Sequence, residues 1–314
     1  KETDKVKIVF LDAKTIGEDI DLSGFDELGE VVKYGFSTAE EARERSKDAD
    51  VLVLNKVQIN EQTIGAAKHL KLVCVTATGT NNLDKEYLAK QGIEWRNVAG
   101  YSTESVAQHT FAMLFYLLEK LPYYDNYVKS EKYVNDVSFT HFAKAFHELS
   151  GKTYGIIGLG NIGRRVADIA KAFGCHVIYY STSGRNSQPG YERVSFDELL
   201  ERSDIVSIHA PLDENTLGLM NQKAFAKMKS SAILLNVGRG PIINEADLAE
   251  ALNNKTIAAA GLDVLSVEPM QPENPLRGIK DSERLLITPH IAWAGVEARM
   301  RLMDIILNQI KEFF

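Results

Sequence analysis

The chain has 314 residues, 45% of them hydrophobic and 25% charged, with a formal net charge of −7, which suggests about two domains with room for a large core. The acidic balance excludes a global basic field for nucleic acid or an anionic membrane surface, and no apolar run is long enough to cross a bilayer. Only two cysteines occur, Cys74 and Cys175, each inside an apolar run; with no visible signal peptide, they fit buried free thiols in a reducing, cytoplasmic setting.

Val6–Leu11 reads as a buried strand. Thr38–Lys47 reads as a helix, Val51–Leu54 as a strand, Gln62–His69 as a helix and Leu72–Thr76 as a third strand. The third strand runs into a turn-rich loop, Ala77–Asn82, followed by a helix over Asp84–Gln91 and a short strand near Ile93–Val98. Strands alternating with helices imply a parallel sheet covered on both faces. Gly100–Thr103 then opens a long helix with apolar residues at Val106, Phe111, Leu114, Leu117 and Leu118, ended by Leu121–Pro122. Tyr123–Glu148 is long for a connector and carries Tyr123, Tyr124, Tyr127, Tyr133, Phe139, Phe142 and Phe146. We expect those rings to pack against a second copy in a homodimer; packing on the chain's own sheet is the alternative.

Thr153–Ile157 is again strand-like and leads into Gly158-Leu159-Gly160-Asn161-Ile162-Gly163, a G-x-G-x-x-G run from which a helical pattern, Ile162–Phe173, departs. Strand, glycine turn and helix in that order are what a dinucleotide-binding turn requires. Gly158 permits the turn, Gly160 lets a pyrophosphate approach the backbone, and Gly163 lets helix and strand pack closely. Further strands fall near His176–Tyr180, Ile205–His209, Ala232–Asn236, Thr256–Asp263 and Leu285–Thr288. Helices fall near Phe196–Arg202, Lys223–Met228, Glu245–Asn253 and Ala294–Phe313.

In NAD-binding turns an acid near the end of the next strand holds the adenosine ribose. No carboxylate occurs from Ile169 to Tyr191, and Ser181 stands where the acid is expected. Ser181, Thr182, Ser183, Arg185 and Asn186 offer neutral donors and a cation suited to a 2′-phosphate, so the cofactor reading is NAD(P)(H), leaning to NADP(H). The alternative is that the hydroxyls serve the NAD ribose and Arg185 is a solvated charge.

Three polar residues stand in apolar contexts at strand ends: Arg239 in NVGRG, Glu268 in GLDVLSVEP and His290 in TPHIAWA. Singly, each has an ordinary structural explanation, but their order behind a dinucleotide turn points to catalysis. With ATGTNN (Ala77–Asn82), GYSTESVAQHT (Gly100–Thr110), GLGNIGR (Gly158–Arg164) and HAPL (His209–Leu212), they make the chain resemble the D-isomer-specific 2-hydroxyacid dehydrogenases along nearly its whole length. Asn55-Lys56-Val57, GYSTESVAQHTFA and HIAWA followed by Glu297-Ala298-Arg299 resemble the glycerate dehydrogenase/hydroxypyruvate reductase branch.

The resemblance implies an α/β fold of two Rossmann-like or flavodoxin-like parallel-sheet domains, the coenzyme domain inserted into the substrate domain. Residues 1–100 plus 290–314 would form the substrate domain and 101–289 the coenzyme domain, with the substrate held between them. Arg239 would bind the substrate, with the Ala77, Thr78 and Gly79 backbone and Trp293 beside it. His290 would be the acid/base and Glu268 its partner. Thr78, Gly158, Gly160, Asn161, Ile162, Gly163, Ser181, Thr182, Arg185, His209, Ala210, Pro211, Thr216, Val237 and Gly238 would line the cofactor, and Asp263 would meet the nicotinamide amide. Gly238 is smaller than the residue usual before the catalytic Arg, which would loosen that wall.

Hydride addition to a ketone leaves an alkoxide, which a protonated His can neutralise near neutral pH. A neighbouring carboxylate favours that imidazolium. A planar guanidinium can grip a 2-oxo acid in two places. The implied reaction is reduction of hydroxypyruvate or glyoxylate to the D-2-hydroxy acid. The alternatives are a larger 2-oxo acid, such as phenylpyruvate or a branched-chain one, or a non-catalytic nucleotide-sensing protein resembling a corepressor. His109 reads as a structural residue or one that supports a neighbour of the site; no cluster has metal-ligand spacing, so no metal is expected.

Overall fold

The structure, a computed structural model, describes residues 5–314. They divide into two units, one taking in the described residues up to Ser102 together with Ala294–Phe314, the other Thr103–Trp293. The second boundary places His290 and Trp293 in the second unit, a few residues beyond the expected limit. The reason is that the carboxylate of Asp263 takes the backbone N–H groups of Ile291 and Ala292, both at 2.9 Å.

In the first unit, β1 (Val6–Phe10), β2 (Gly29–Lys33), α1 (Ala39–Arg45), β3 (Val51–Leu54), α2 (Glu61–Ile64), β4 (Leu72–Val75), α3 (Lys85–Gln91) and β5 (Glu94–Arg96) follow in order. The five strands form one parallel sheet, β2-β1-β3-β4-β5. β3 and β4 are buried along their whole length, as strands covered on both faces must be. A capping box between Thr38 and Glu41 starts α1. Buried Asp12, just beyond β1, accepts the backbone N–H groups of Asn55 and Lys56, both at 2.8 Å, and so ties the loop after β3 to the end of β1. Burial pushes the Asp12 carboxyl above the usual carboxylate range, against those bonds.

Two expectations for this unit change. The helix expected over Gln62–His69 is one turn, α2, because Gly65 follows it at once and glycine is a poor helix former. The edge strand β2 lacked a sequence signal: only its two valines are apolar, and it pairs on one side alone.

The second unit runs through α4 (Thr103–Leu118), α5 (Leu121–Lys129), β6 (Thr153–Ile157), α6 (Asn161–Ala172), β7 (His176–Tyr180), β8 (Glu192–Arg193) and α7 (Phe196–Arg202). It continues through β9 (Ile205–Ile208), α8 (Gln222–Lys227), β10 (Ile233–Asn236), α9 (Glu245–Asn253), β11 (Ala259–Leu262) and β12 (Leu285–Ile287). The last helix, α10 (Val296–Phe313), belongs to the first unit. The second sheet is parallel, ordered β12-β11-β10-β9-β6-β7-β8. Its order reverses at β6, which has β9 on one side and β7 on the other; in open α/β sheets ligands bind at the strands' carboxyl ends at such a point. α4 buries Ala107, Phe111, Met113, Leu114 and Leu117 in the same cluster as Tyr154 and Ile156 of β6 and Leu235 of β10.

Leu121–Pro122 does not end helical structure but starts α5, since proline is tolerated in a first turn, where its missing N–H has no partner to lose. The connector's rings divide into two groups. Tyr127 and Tyr123, both in α5, stack on His141 with centroids 3.7 and 5.9 Å away. Val137, Phe139 and Phe142 stay exposed. No helix of the described residues is long and apolar enough to cross a membrane.

Candidate active site

The glycine turn leaves β6 at the reversal point. Gly158 adopts φ +90°, and a Cβ there would stand 2.8 Å from the Ala210 backbone after β9, so only glycine lets the two loops touch. A Cβ on Gly160 would meet nothing within 4 Å, and no side chain caps α6, whose N-terminus it precedes. The open space at Gly160 and the uncapped N–H groups of α6 fit a dinucleotide pyrophosphate. Asn161 is exposed on the first turn, its Oδ1 accepting from Arg164 Nη2 at 2.8 Å, and Ile162 is half-buried beside it.

Ser181 follows β7. It is buried, and its Oγ accepts the Asn186 N–H at 3.3 Å. Thr182 is half-buried and Arg185 exposed; no partner for the Arg185 guanidinium is found among the described residues. Arg193, which the sequence did not single out, donates to Gly184 O at 3.1 Å and Asn186 O at 3.4 Å and so shapes this loop from β8.

After β9, His209 bonds through Nε2 to Ser207 Oγ, while its Nδ1 is enclosed without a partner. Burial pushes this imidazole down to about 3, so it stands neutral and cannot act as a proton donor near neutral pH. Pro211 is exposed, and its carbonyl accepts the hydroxyl of Thr216 at 2.7 Å. Thr216 is fully buried, so its hydroxyl closes this loop and does not present itself to solvent.

Arg239, Glu268 and His290 leave the carboxyl ends of β10, β11 and β12, three adjacent strands. Buried Asn236 builds the first of these loops: its Oδ1 accepts the Gly238 N–H and its Nδ2 donates to Arg239 O, both at 2.9 Å. Val237 and Gly238 are half-buried, and Arg239 is exposed with Nη1 on Gly238 O at 2.9 Å. A Cβ on Gly238 would point at Ala210 O, 3.1 Å away, and at Asn236 Oδ1 and Ile208 O. The contact with Ala210 O is tight and the other two are ordinary van der Waals distances.

Glu268 Oε2 stands 2.6 Å from His290 Nδ1, and Oε1 accepts the Leu265 N–H at 3.0 Å. The carboxylate fixes the imidazole through Nδ1. His290 itself adopts φ +56°, uncommon for a residue with a side chain, and several bonds hold it there. Its N–H donates to Asp263 O at 2.9 Å, and its carbonyl accepts from Trp293 Nε1 at 2.8 Å. Asp263 is buried, with its carboxylate committed to this segment: Thr288 Oγ1 donates to it at 2.6 Å, beside the Ile291 and Ala292 N–H groups.

In the first unit, Ala77 is half-buried, and Thr78 and Gly79 are exposed just beyond β4. Val98 N–H donates to Ala77 O at 3.1 Å, Asn97 Nδ2 to Thr78 O at 2.7 Å, and Thr78 Oγ1 to Val98 O at 2.8 Å. Asn82 Nδ2 donates to Val57 O at 2.9 Å, joining this loop to the one that Asp12 holds. Asp12 and Asn82 were not found from sequence, because their partners lie many residues away.

Residues 111–292 match the model for the NAD-binding domain of the D-isomer-specific 2-hydroxyacid dehydrogenases. The chain belongs to this family. Its members are oxidoreductases that use a nicotinamide cofactor, and so is this dehydrogenase. It is 38% identical to a hydroxypyruvate reductase of Blautia hydrogenotrophica, covering 98% of this chain and 97% of the relative. It is 33% identical to a glycerate dehydrogenase of Methylorubrum extorquens, covering 98% and 96%. A solved NADPH-dependent glyoxylate/hydroxypyruvate reductase from Sinorhizobium meliloti, in complex with NADP and malonate, superposes with a TM-score of 0.80 at 26% identity, covering 99% and 94%. The dehydrogenase thus groups with the glycerate dehydrogenase and hydroxypyruvate reductase branch.

Proposed function

We propose that this dehydrogenase reduces hydroxypyruvate or glyoxylate to the corresponding D-2-hydroxy acid, with His290 as the proton donor and NADPH the favoured reductant. The observation that carries the proposal is the 2.6 Å contact between Glu268 Oε2 and His290 Nδ1. A carboxylate on Nδ1 orients the ring and aims Nε2 for proton transfer to the alkoxide as it forms. The Arg239 guanidinium grips the carboxylate and carbonyl of the 2-oxo acid. When bound, the dihydronicotinamide supplies the hydride. The glycine turn and the start of α6 hold the pyrophosphate, while Val237, Gly238 and the His209–Pro211 loop line its path. Asp263, through the segment it organises, stands by the nicotinamide amide.

The preference for NADPH is supported by Ser181 in place of an acid and by Arg185 beside it. The exposed Val137, Phe139 and Phe142 support a homodimer formed through the 123–148 connector, testable by light scattering. Cys74 and Cys175, buried and unpaired, support a reducing, cytoplasmic location.

His290→Asn should cut reduction of hydroxypyruvate by at least ~100-fold, the lower end of what a positioned acid contributes. An unchanged rate would remove His290 from the mechanism. Steady-state kinetics with hydroxypyruvate, glyoxylate and phenylpyruvate, each against NADH and NADPH, tests substrate and cofactor together.

A further inference from the structure

The segment 288–292 must hold His290 at a positive φ, which a residue with a side chain keeps only when its surroundings determine it from several directions. Two of those directions come from one face of α4. Ser105 Oγ donates to Ala292 O at 2.7 Å. One helical turn later, His109 Nε2 lies 2.9 Å from Thr288 Oγ1 and 3.6 Å from Asp263 Oδ1. Ser105 and His109 are four residues apart, so they share a helix face and grip the segment at its two ends.

The bond order along this chain is fixed by proton count. Thr288 has one hydroxyl proton, and the Asp263 carboxylate at 2.6 Å is an acceptor only. His109 must therefore donate its Nε2–H to Thr288 Oγ1. The result runs in one direction: His109 to Thr288, Thr288 to Asp263, and Asp263 to the N–H groups of Ile291 and Ala292. The chain of bonds from His109 through Thr288 and Asp263 ends on the backbone just beyond His290.

We propose that α4 braces the catalytic segment and that His109 is a positioning residue for proton transfer, acting through Thr288 and Asp263 on His290. This rests on the reading of His290 as the proton donor. Loss of the brace lets the imidazole drift from the reacting carbonyl, so it lowers kcat and leaves the KM for hydroxypyruvate and for NADPH in place.

His109→Ala should lower kcat by about tenfold or more, within the range that small displacements of a reacting group cost. His109→Gln, whose amide N–H can reach Thr288, should recover most of that loss. Thr288→Val should match His109→Ala, and the double variant should be no worse than either, because both act on one chain. In a His290→Asn background, His109→Ala should cost nothing further. An unchanged kcat in folded His109→Ala, or an equal further loss in the His290→Asn background, overturns the proposal. If His109→Ala does not fold, Thr288→Val alone and in the His290→Asn background decides by the same criteria. If His290→Asn itself keeps full activity, the assignment of His290 fails; if it loses activity while the His109 and Thr288 variants do not, only the brace fails.

Discussion

Glu268 is held at both ends of its carboxylate, with Oε2 2.6 Å from His290 Nδ1 and Oε1 taking the Leu265 N–H at 3.0 Å. One residue thereby links the loop after β11 to the loop after β12. Glu268→Gln keeps the shape but replaces the carboxylate that accepts from His290 Nδ1 with a neutral amide. The kcat for hydroxypyruvate reduction should fall by about tenfold or more, less than on removing the imidazole itself, while NADPH affinity stays constant. Equal rates for the two proteins would show that the pair is not used in proton transfer.

Gly240 decides where Glu268 can stand. A Cβ at this position would lie 2.0 Å from the carbonyl carbon and oxygen of Leu265, a backbone contact that no rotamer can relieve. Gly240→Ala must therefore push the loop after β11 away from the Arg239 loop. We expect a loss of activity of about a hundredfold, with NADPH binding by fluorescence retained. Wild-type turnover in the variant would mean that the Leu265–Glu268 loop moves without consequence.

Cofactor choice should respond to one residue. Ser181 is followed by a loop with no carboxylate from Thr182 to Gly190 and with exposed Arg185. Ser181→Asp places a negative charge where a 2′-phosphate would sit, so kcat/KM with NADPH should fall while that with NADH holds or rises. The ratio of the two specificity constants is the measurement, and an unaltered ratio would place the 2′-site elsewhere.

His209 gives a stability signature in acid. Burial holds it neutral, down to about 3, whereas in the unfolded chain it titrates near the ordinary value of about 6.5. Between those limits the unfolded state binds the extra proton. Stability from this group is thus fully present above about pH 6.5 and declines as pH falls toward 3, by up to ~1.4 kcal/mol per pH unit. His209→Gln should lose less stability than the wild type between about pH 7 and about pH 5, as read from urea midpoints. Parallel losses would show that His209 becomes protonated in the folded protein.

The features legible in sequence were those whose physics is local. Val51–Leu54 and Leu72–Val75 are apolar runs because both faces of their sheet are covered, and a glycine turn must sit between its own strand and helix. β2 escaped because an edge strand needs little apolar surface, and α5 because proline reads as a stop although it also begins helices. The neighbours of Gly238, Ala210 and Ile208, were not legible because they belong to another strand and loop.

By itself, then, the sequence determined the alternation of strands and helices, the dinucleotide turn, and the identity and order of Arg239, Glu268 and His290. Each of these is written in adjacent residues. Tertiary structure alone decided that Asp263 holds the segment 288–292, that His109 reaches Thr288 across 179 positions, and that Asp12 grips Asn55 across 43. Those are hydrogen bonds between elements, set by which strand ends and helix faces the fold brings side by side, and no local spacing encodes them.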